Sequence, residues 1–139
     1  MSRHAEGLLD TSAVIALPLL RDPSALPARP MISAITLAEL SVGPLVTDDR
    51  SERARRLRHL QRAEADFEPL PFDADAARAF GQVAASMRRA GRKPAARSYD
   101  AMIAAVAVAN GLPLYTANPR DFEGIEALAV VAVTPFAGA

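Results

Sequence analysis

The sequence predicts an α/β domain with a mostly parallel central sheet and helices on both faces. Short aliphatic runs, which predict strands, alternate along the chain with longer segments of helical periodicity, and this alternation is typical of parallel sheets. Half of the residues are hydrophobic but only 5% are aromatic, so the core is mostly aliphatic. A chain of 139 residues is long enough to bury such a core, and we interpret residues 1–139 as a single domain.

The first half of the chain predicts two strands, each followed by a helix. The run "GLLD" is a short apolar strand that ends at Asp10, and Thr11 or Ser12 then caps the helix "AVIALPLL", which Pro18 kinks or ends. The proline-rich stretch "RDPSALPARP" is a loop. The run "MIS" is the second strand, and Ser33 is the predicted N-cap of the helix "AITLAELSVG".

The second half predicts three helices and three further strands. The stretch "DDRSERARRLRHLQRAEADF" is a helix with Leu57 and Leu60 facing inward, and "EPLPF" is the third strand candidate. Asp73 caps the helix "ADAARAFGQVAASMRRAG". The helix "SYDAMIAAVAVANG" is apolar nearly all round and is therefore expected to be buried. The runs "LPLYT" and "LAVVAV" are the fourth and fifth strands.

Charge and composition exclude several classes of site. Lys plus Arg equals Asp plus Glu at 16 each, so no overall basic field indicates a nucleic-acid partner, although a local patch can still bind phosphate. The absence of cysteine excludes disulfides and thiolate chemistry, and two histidines are too few for a histidine-rich zinc site. No apolar run reaches the roughly 20 residues that span a bilayer. The start "MSRHAEG" is not a secretory signal, so we expect a cytoplasmic protein with no membrane partner.

Four acidic residues lie where predicted strands lead into helices or turns. Asp10 follows the first strand, Glu39 lies on the helix after the second, Asp100 is in the first turn of the buried helix, and Asp121 follows the fourth strand. Each one alone has an ordinary explanation as a cap, a solvated side chain or an acid that favours the helix dipole. Because sites in open α/β sheets form beyond the carboxyl ends of the strands, we expect the four carboxylates to converge.

The convergence of four carboxylates predicts a bound cation. Mutual repulsion raises the pKa of each acid, so the cluster is tolerable only when a cation neutralises it. Oxygen ligands without Cys or His suit a hard cation, and we predict Mg²⁺, with Mn²⁺ as the alternative. A metal held by a few carboxylates and a substrate phosphate is typical of phosphodiester hydrolysis.

Four motif blocks resemble a known family. In chain order, "LLDTSAVIAL", "ISAITLAEL", "RSYDAMIAA" and "LPLYTANPRDF" resemble the blocks of PIN-domain ribonucleases, and most of all toxins of the VapC type from bacterial toxin–antitoxin pairs. The resemblance implies a three-layer α/β/α sandwich and a Mg²⁺-dependent endoribonuclease. It also implies a homodimer and a cognate antitoxin whose C-terminal segment wraps the toxin.

The resemblance also implies which residues act. The family's acidic positions fall on Asp10, Glu39, Asp100 and Asp121. Its polar helper positions fall on Thr11 or Ser12, and on Thr116 and Asn118. We expect Asp10, Asp100 and Asp121 to hold the metal and Glu39 to help orient the attacking water. The fourth block offers both Asn118 and Asp121 as the ligand, and Asp121 is our choice.

The arginines of residues 50–62 form a basic face on one predicted helix. We interpret this face as a solvated surface that pairs with Glu52, Glu64 and Asp66. Contact with an RNA backbone or with the antitoxin is the alternative.

A second basic stretch, "MRRAGRKPAARSYD", places Arg97 just ahead of Asp100. It either holds the RNA backbone that flanks the scissile phosphate or simply favours the helix dipole. Of its basic side chains, we expect Arg97 to contact the substrate.

The stretches "AVIALPLL" and "ITLAELSVGPL" carry more aliphatic residues than one buried face needs. This excess independently predicts a homodimer and an apolar groove for a partner helix.

Two other functions stay open at this point. A phosphatase with a nucleophilic aspartate, as in haloacid-dehalogenase-like enzymes, would carry a second Asp two residues after the first, where this chain has Ser12. A non-catalytic PIN-like binding module would usually lose one or more of the acids, and this sequence keeps all four.

Overall fold

A four-stranded, all-parallel sheet forms the centre of the computed structural model, which describes residues 4–135. The strands are β1 (Glu6–Leu9), β2 (Arg29–Met31), β3 (Leu114–Thr116) and β4 (Val130–Ala132). The helices are α1 (Thr11–Ala16), α2 (Ala34–Val42), α3 (Arg50–Asp66), α4 (Ala74–Arg89) and α5 (Ser98–Ala109). None of the helices in this part of the chain is long and apolar enough to cross a membrane.

The strand order is β2-β1-β3-β4, so the chain builds outward from β1 in both directions. The order reverses between β1 and β3, and such a reversal opens a crevice at the carboxyl ends of the two strands. Gly7 on β1 leaves room for the ring of Tyr115 on β3, because a Cβ at Gly7 would lie only 2.5 Å from Cε1 of that ring.

Helices cover both faces of the sheet, as the sequence predicts. Successive strand residues point to opposite faces, so Leu8 and Leu114 pack against α4 and α5, whereas Leu9 and Tyr115 pack against α1 and α3. The predicted burial of α5 is confirmed, because six of its residues are buried, Ala101 and Ile103–Ala107. The molecule is therefore a three-layer α/β/α sandwich.

Helix starts agree with the prediction at two of three positions. Ser33 caps α2 and Asp73 caps α4. The prediction of Thr11 or Ser12 as the first cap is wrong, because Asp10 itself accepts the backbone N–H of Ala13. The α-helix then ends before the proline, and a 3₁₀ turn, Leu17–Leu19, continues it.

The third predicted strand is not a strand. In "EPLPF" the structure has a single parallel bridge, between Leu70 and Ser33. The prolines on either side of Leu70 have no N–H to donate, so the pairing cannot extend.

One of the two leucines predicted to face inward on α3 does so. Leu60 packs against the core, but Leu57 is 41% exposed. The inward stripe of α3 instead passes through Ala63 and the partly buried Arg56, which are separated from Leu60 by helical spacings of three and four residues.

Candidate active site

The crevice at the carboxyl ends of β1 and β3 brings the four predicted acids together. Asp10 directly follows β1, Glu39 lies on α2, and Asp100 is in the first turn of α5. Asp121 lies in the 3₁₀ turn Pro119–Phe122 after β3. Their negative charges act on one another, since Asp121, Glu39 and Asp10 all contribute to the raised pKa of Asp100.

Asp10 is the most buried of the four, with 4% of its surface exposed. Its Oδ1 accepts hydrogen bonds from Ser12 Oγ at 2.7 Å and from the N–H of Ala13 at 2.8 Å. Its Oδ2 accepts one from Thr116 Oγ1 at 2.6 Å. Burial raises the pKa of Asp10 and these hydrogen bonds partly offset the effect. Asp10 is thus held in one orientation by the loop it starts and by β3.

The hydroxyls that hold Asp10 are themselves oriented by the backbone after β3. The N–H of Ala117 donates to Ser12 Oγ at 3.0 Å, and the N–H of Asn118 donates to Thr116 Oγ1 at 2.9 Å. Each hydroxyl can therefore direct its own proton at Asp10. This arrangement places the side chains of Ser12 and Thr116 in contact with Asp10. Asn118 contributes its backbone N–H here, and the residue as a whole is exposed.

Glu39 is held by a threonine from α1. Thr11 Oγ1 donates to Glu39 Oε1 at 2.8 Å and lies 3.2 Å from Thr36 Oγ1. Burial is the main cause that raises the pKa of Glu39, and the charge of Asp10 adds to it. The buried Thr36 was not predicted from the sequence. Its spacing of three residues before Glu39 on α2, which places both on one helix face, is a signal that would have indicated it.

Of the four acids, Asp100 has the pKa that departs most from its ordinary value. Burial, followed by the charges of Asp121, Glu39 and Asp10, raises the pKa of Asp100 to about 6, against the lowering effect of Arg97. Carboxylic acids at this pKa change charge just below neutral pH. Perturbed pKa values of this kind concentrate at functional sites.

The segment before α5 supplies the positive charge of the site. Arg97 Nη1 donates to Asp121 Oδ1 at 2.8 Å and lies 3.8 Å from Asp100 Oδ2. Arg92 donates from Nη1 to the carbonyl oxygen of Asp121 at 3.1 Å and from Nη2 to that of Arg120. Arg97 thus bridges two of the acids, and Arg92 anchors the turn that carries Asp121.

The donor set suits a hard cation. All four acids offer oxygen ligands, and the crevice concentrates their negative charge against one bridging arginine. Within residues 4–135, no three acidic or histidine side chains already stand in a compact metal-binding group. Arg97 donates a hydrogen bond to Asp121, and each oxygen of Asp10 accepts at least one hydrogen bond.

Comparison with known proteins agrees with this site. A family model described as PIN domain matches residues 7–128. The chain belongs to the PIN-domain family. The match spans Asp10, Glu39, Asp100 and Asp121, and it confirms the resemblance that the four motif blocks indicate.

Relatives of this PIN domain are named as ribonucleases. It is 39% identical over 131 residues to Ribonuclease VapC5 of Mycobacterium tuberculosis, across 93% of this chain and 94% of that protein. It is 32% identical to Ribonuclease VapC4 of the same organism, across 91% of this chain and 95% of that protein. It is also 34% identical to the tRNA(fMet)-specific endonuclease VapC of Shigella flexneri, across 70% of each chain.

Solved structures of toxin–antitoxin systems share the fold of this PIN domain. The crystal structure of VapBC-5 from Mycobacterium tuberculosis superposes with a TM-score of 0.79 at 37% identity, covering 93% of this chain and 99% of that chain. The DNA-bound VapBC of Salmonella typhimurium superposes with a TM-score of 0.70 at 29% identity, covering 92% and 98%. These likenesses confirm the predicted α/β architecture.

Proposed function

We propose that this PIN domain is a Mg²⁺-dependent endoribonuclease and the toxin of a toxin–antitoxin pair. The observation that carries the proposal is the group of four electrostatically coupled carboxylates at the carboxyl ends of β1 and β3. The ribonuclease names of its relatives support the reaction, and the VapBC structures support the toxin role. We place the protein in the cytoplasm, where RNA and a partner antitoxin are available.

In this proposal Asp10, Asp100 and Asp121 hold Mg²⁺, or Mn²⁺, at the end of the sheet. When bound to these carboxylates, Mg²⁺ would supply the positive charge that lowers the pKa of a water molecule and neutralises charge on the phosphate. Ser12 and Thr116 keep Asp10 in place through the two hydroxyl contacts described above, and contacts of this kind tune the ligands they hold. Asn118 takes part through its N–H bond to Thr116.

Glu39 helps orient the attacking water. Thr11 fixes Oε1 of Glu39 through its hydrogen bond. Its raised pKa makes Glu39 a better proton acceptor than an ordinary surface glutamate.

Arg97 has two tasks in this proposal. In the metal-free protein its guanidinium group reduces the repulsion between Asp100 and Asp121. The same group is planar, 40% exposed and close to the site, so it can donate two parallel hydrogen bonds to a substrate phosphate.

Exposed apolar side chains support a protein partner and a homodimer. Val42, Leu45 and Val46, at and just after the end of α2, are 46%, 83% and 68% exposed. Val42 and Leu45 fall in "ITLAELSVGPL", one of the two stretches whose aliphatic excess predicts an interface, and Val46 directly follows it. We expect light scattering to show a dimer at micromolar concentration, and a strict monomer would contradict this part of the proposal.

The test is cleavage of single-stranded RNA by the purified chain. Cleavage is expected in Mg²⁺, is lost in EDTA and returns when Mg²⁺ is restored. Asp10→Asn abolishes it, because the amide is a poorer Mg²⁺ ligand while Asn still caps α1. Asp75→Asn is the matched control, since Asp75 is an exposed acid on α4 that pairs with Arg78.

The other two functions give different results in the same assay. A binding module retains RNA without cutting it in any metal. A phosphatase hydrolyses small phosphomonoesters through Asp10, but that carboxylate is buried and both of its oxygens accept hydrogen bonds, which disfavours attack on a substrate. Either outcome would overturn the ribonuclease proposal.

A further inference from the structure

A groove leads away from the candidate active site between α1 and α3. Its inner part, a cavity of about 350 Å³, is lined by Thr11 and Glu39 and by Glu52, Arg55 and His59 of α3. Its outer part, about 270 Å³, shares Ile15, Arg55 and His59 with the inner part. The two cavities adjoin at these shared residues, and together we call them the α1–α3 groove. The groove reaches Glu39, one of the four acidic residues of the candidate active site.

One wall of the α1–α3 groove is strongly basic. Arg55, Arg58, His59 and Arg62 recur on α3 at spacings of three and four residues, so they form one stripe facing the groove. Arg58 and Arg62 are exposed and form no ion pair or hydrogen bond within residues 4–135. Burial and the charges of Arg62, Arg55 and Arg58 together lower the pKa of His59. Within the stripe, Glu52 pairs with Arg55, so the uncompensated positive charge lies on Arg58 and Arg62.

The opposite wall is apolar. Ile15 and Leu19 are each more than two-fifths exposed, and Pro18 lies between them along the groove. A partner that fits this groove must carry negative charge along one side and flat or apolar groups along the other. Single-stranded nucleic acid has this character, because its phosphates bind Arg side chains and its bases pack against apolar and aromatic groups.

We propose that the α1–α3 groove binds the single-stranded RNA next to the scissile bond, with phosphates on Arg58 and Arg62 and bases toward Ile15 and Leu19. This inference rests on the proposed ribonuclease function. The position of Glu39 supports it, since this acid lines the inner part of the groove. A purely apolar protein segment fits less well, because it would cover two unpaired guanidinium groups without neutralising them.

The experiment measures RNA affinity of the Arg58→Gln/Arg62→Gln double variant. Ca²⁺ replaces Mg²⁺ so that binding is measured without turnover, and the salt concentration is varied. We expect affinity to fall about tenfold near 0.1 M salt and the log–log salt slope to fall by about 1.4, because each single-strand phosphate contact contributes roughly 0.7. In Mg²⁺, KM rises while kcat stays close to wild type, since neither side chain reaches the acids.

The matched control is the Arg50→Gln/Arg78→Gln double variant, which removes the same charge outside the groove. Arg50 is exposed at the start of α3, and Arg78 pairs with Asp75 on α4. We expect near-wild-type affinity and slope from this control. An equal loss in both double variants would mean that net charge alone matters and would overturn the proposal.

Two other results separate the possible failures. If the wild type cleaves RNA and the Arg58→Gln/Arg62→Gln variant binds it unchanged but no longer binds the cognate antitoxin, the groove is a protein site and only this inference fails. If the wild type neither binds nor cleaves RNA, the proposed function fails with it. Circular dichroism and the melting temperature establish that each variant is folded.

Discussion

Two arginine-rich regions of the chain, α3 and residues 88–97, have similar composition and different surroundings. In residues 88–97, Arg97 pairs with Asp121, Arg92 binds the carbonyl oxygens of the same turn, and Arg89 lies 3.6 Å from Glu126. On α3, Glu52 is the acid that pairs with Arg55 and Arg56, and the arginines farther along have no acidic partner among the described residues.

The roles of these two regions are the reverse of those that their composition suggests. The basic segment closest in sequence to Asp100 is largely used to hold the active site together, whereas the helix interpreted as a neutralised surface keeps free positive charge. The predicted pairing of that surface is right for Glu52 and wrong for Glu64 and Asp66, which form no ion pair within residues 4–135. An arginine's role depends on which acids the fold places beside it.

The largest effect is expected from Asp100→Asn, which removes an acid that faces residues 88–97. RNA cleavage is lost, while the metal-free protein gains roughly 2–3 kcal/mol of stability at neutral pH, because a shift of about two pKa units is removed. The folded-state pKa of Asp100 is raised from 3.8 to about 6, so wild-type stability falls as pH rises through this window. Thermal unfolding between pH 3.5 and 7.5 checks this, and parallel curves for wild type and variant would contradict it.

The next effect is that of Arg92→Ala, which releases the turn that carries Asp121. The side chain is 20% exposed and its two hydrogen bonds involve a charged donor, so we expect a loss of about 2–3 kcal/mol of stability. Urea unfolding measures it, with Arg88→Ala as the control, since Arg88 is an exposed neighbour without such contacts. Equal stability of both variants would mean that Arg92 does not anchor the turn.

A smaller effect is expected from Arg97→Ala, and it separates the two tasks of Arg97. Removing a competing cation from Asp121 tightens Mg²⁺ binding in calorimetry, while RNA affinity in Ca²⁺ weakens because a phosphate ligand is gone. Arg97→Lys keeps the charge and loses the paired hydrogen bonds, so it restores wild-type Mg²⁺ affinity but not RNA affinity. If RNA affinity is unchanged in Arg97→Ala, Arg97 only balances the acids.

The smallest effect is expected from Glu52→Gln on α3. Glu52 is the acid that neutralises Arg55 and Arg56 at the α1–α3 groove. Its removal leaves these arginines free to bind phosphate, so RNA affinity rises about two- to threefold at low salt and the gain disappears at high salt. Unchanged affinity at low salt would indicate that the RNA does not follow this groove.

Local sequence accounts for much of the fold and for the identity of the acids. Alternating aliphatic and helical segments predicted the parallel α/β class, because strands buried on both faces are short apolar runs. Ser33 and Asp73 were recognised as caps because capping depends on neighbouring residues alone. The apolar residues of "EPLPF" predict a strand at Leu70. The structure has only a single bridge there, because the flanking prolines cannot donate the hydrogen bonds that a longer pairing needs.

The sequence by itself thus determined the fold class and the positions of the four acids along the chain, since each follows from periodicity or motif within a short stretch. Tertiary structure alone decided that β3 lies beside β1, and so that Thr116 reaches Asp10 across 106 residues of sequence. It also decided that Arg97 and Arg92 meet Asp121, and that Arg58 and Arg62 meet no acid among the described residues. The physical reason is that strand order and helix docking set distances between remote segments, and charge pairing depends on those distances.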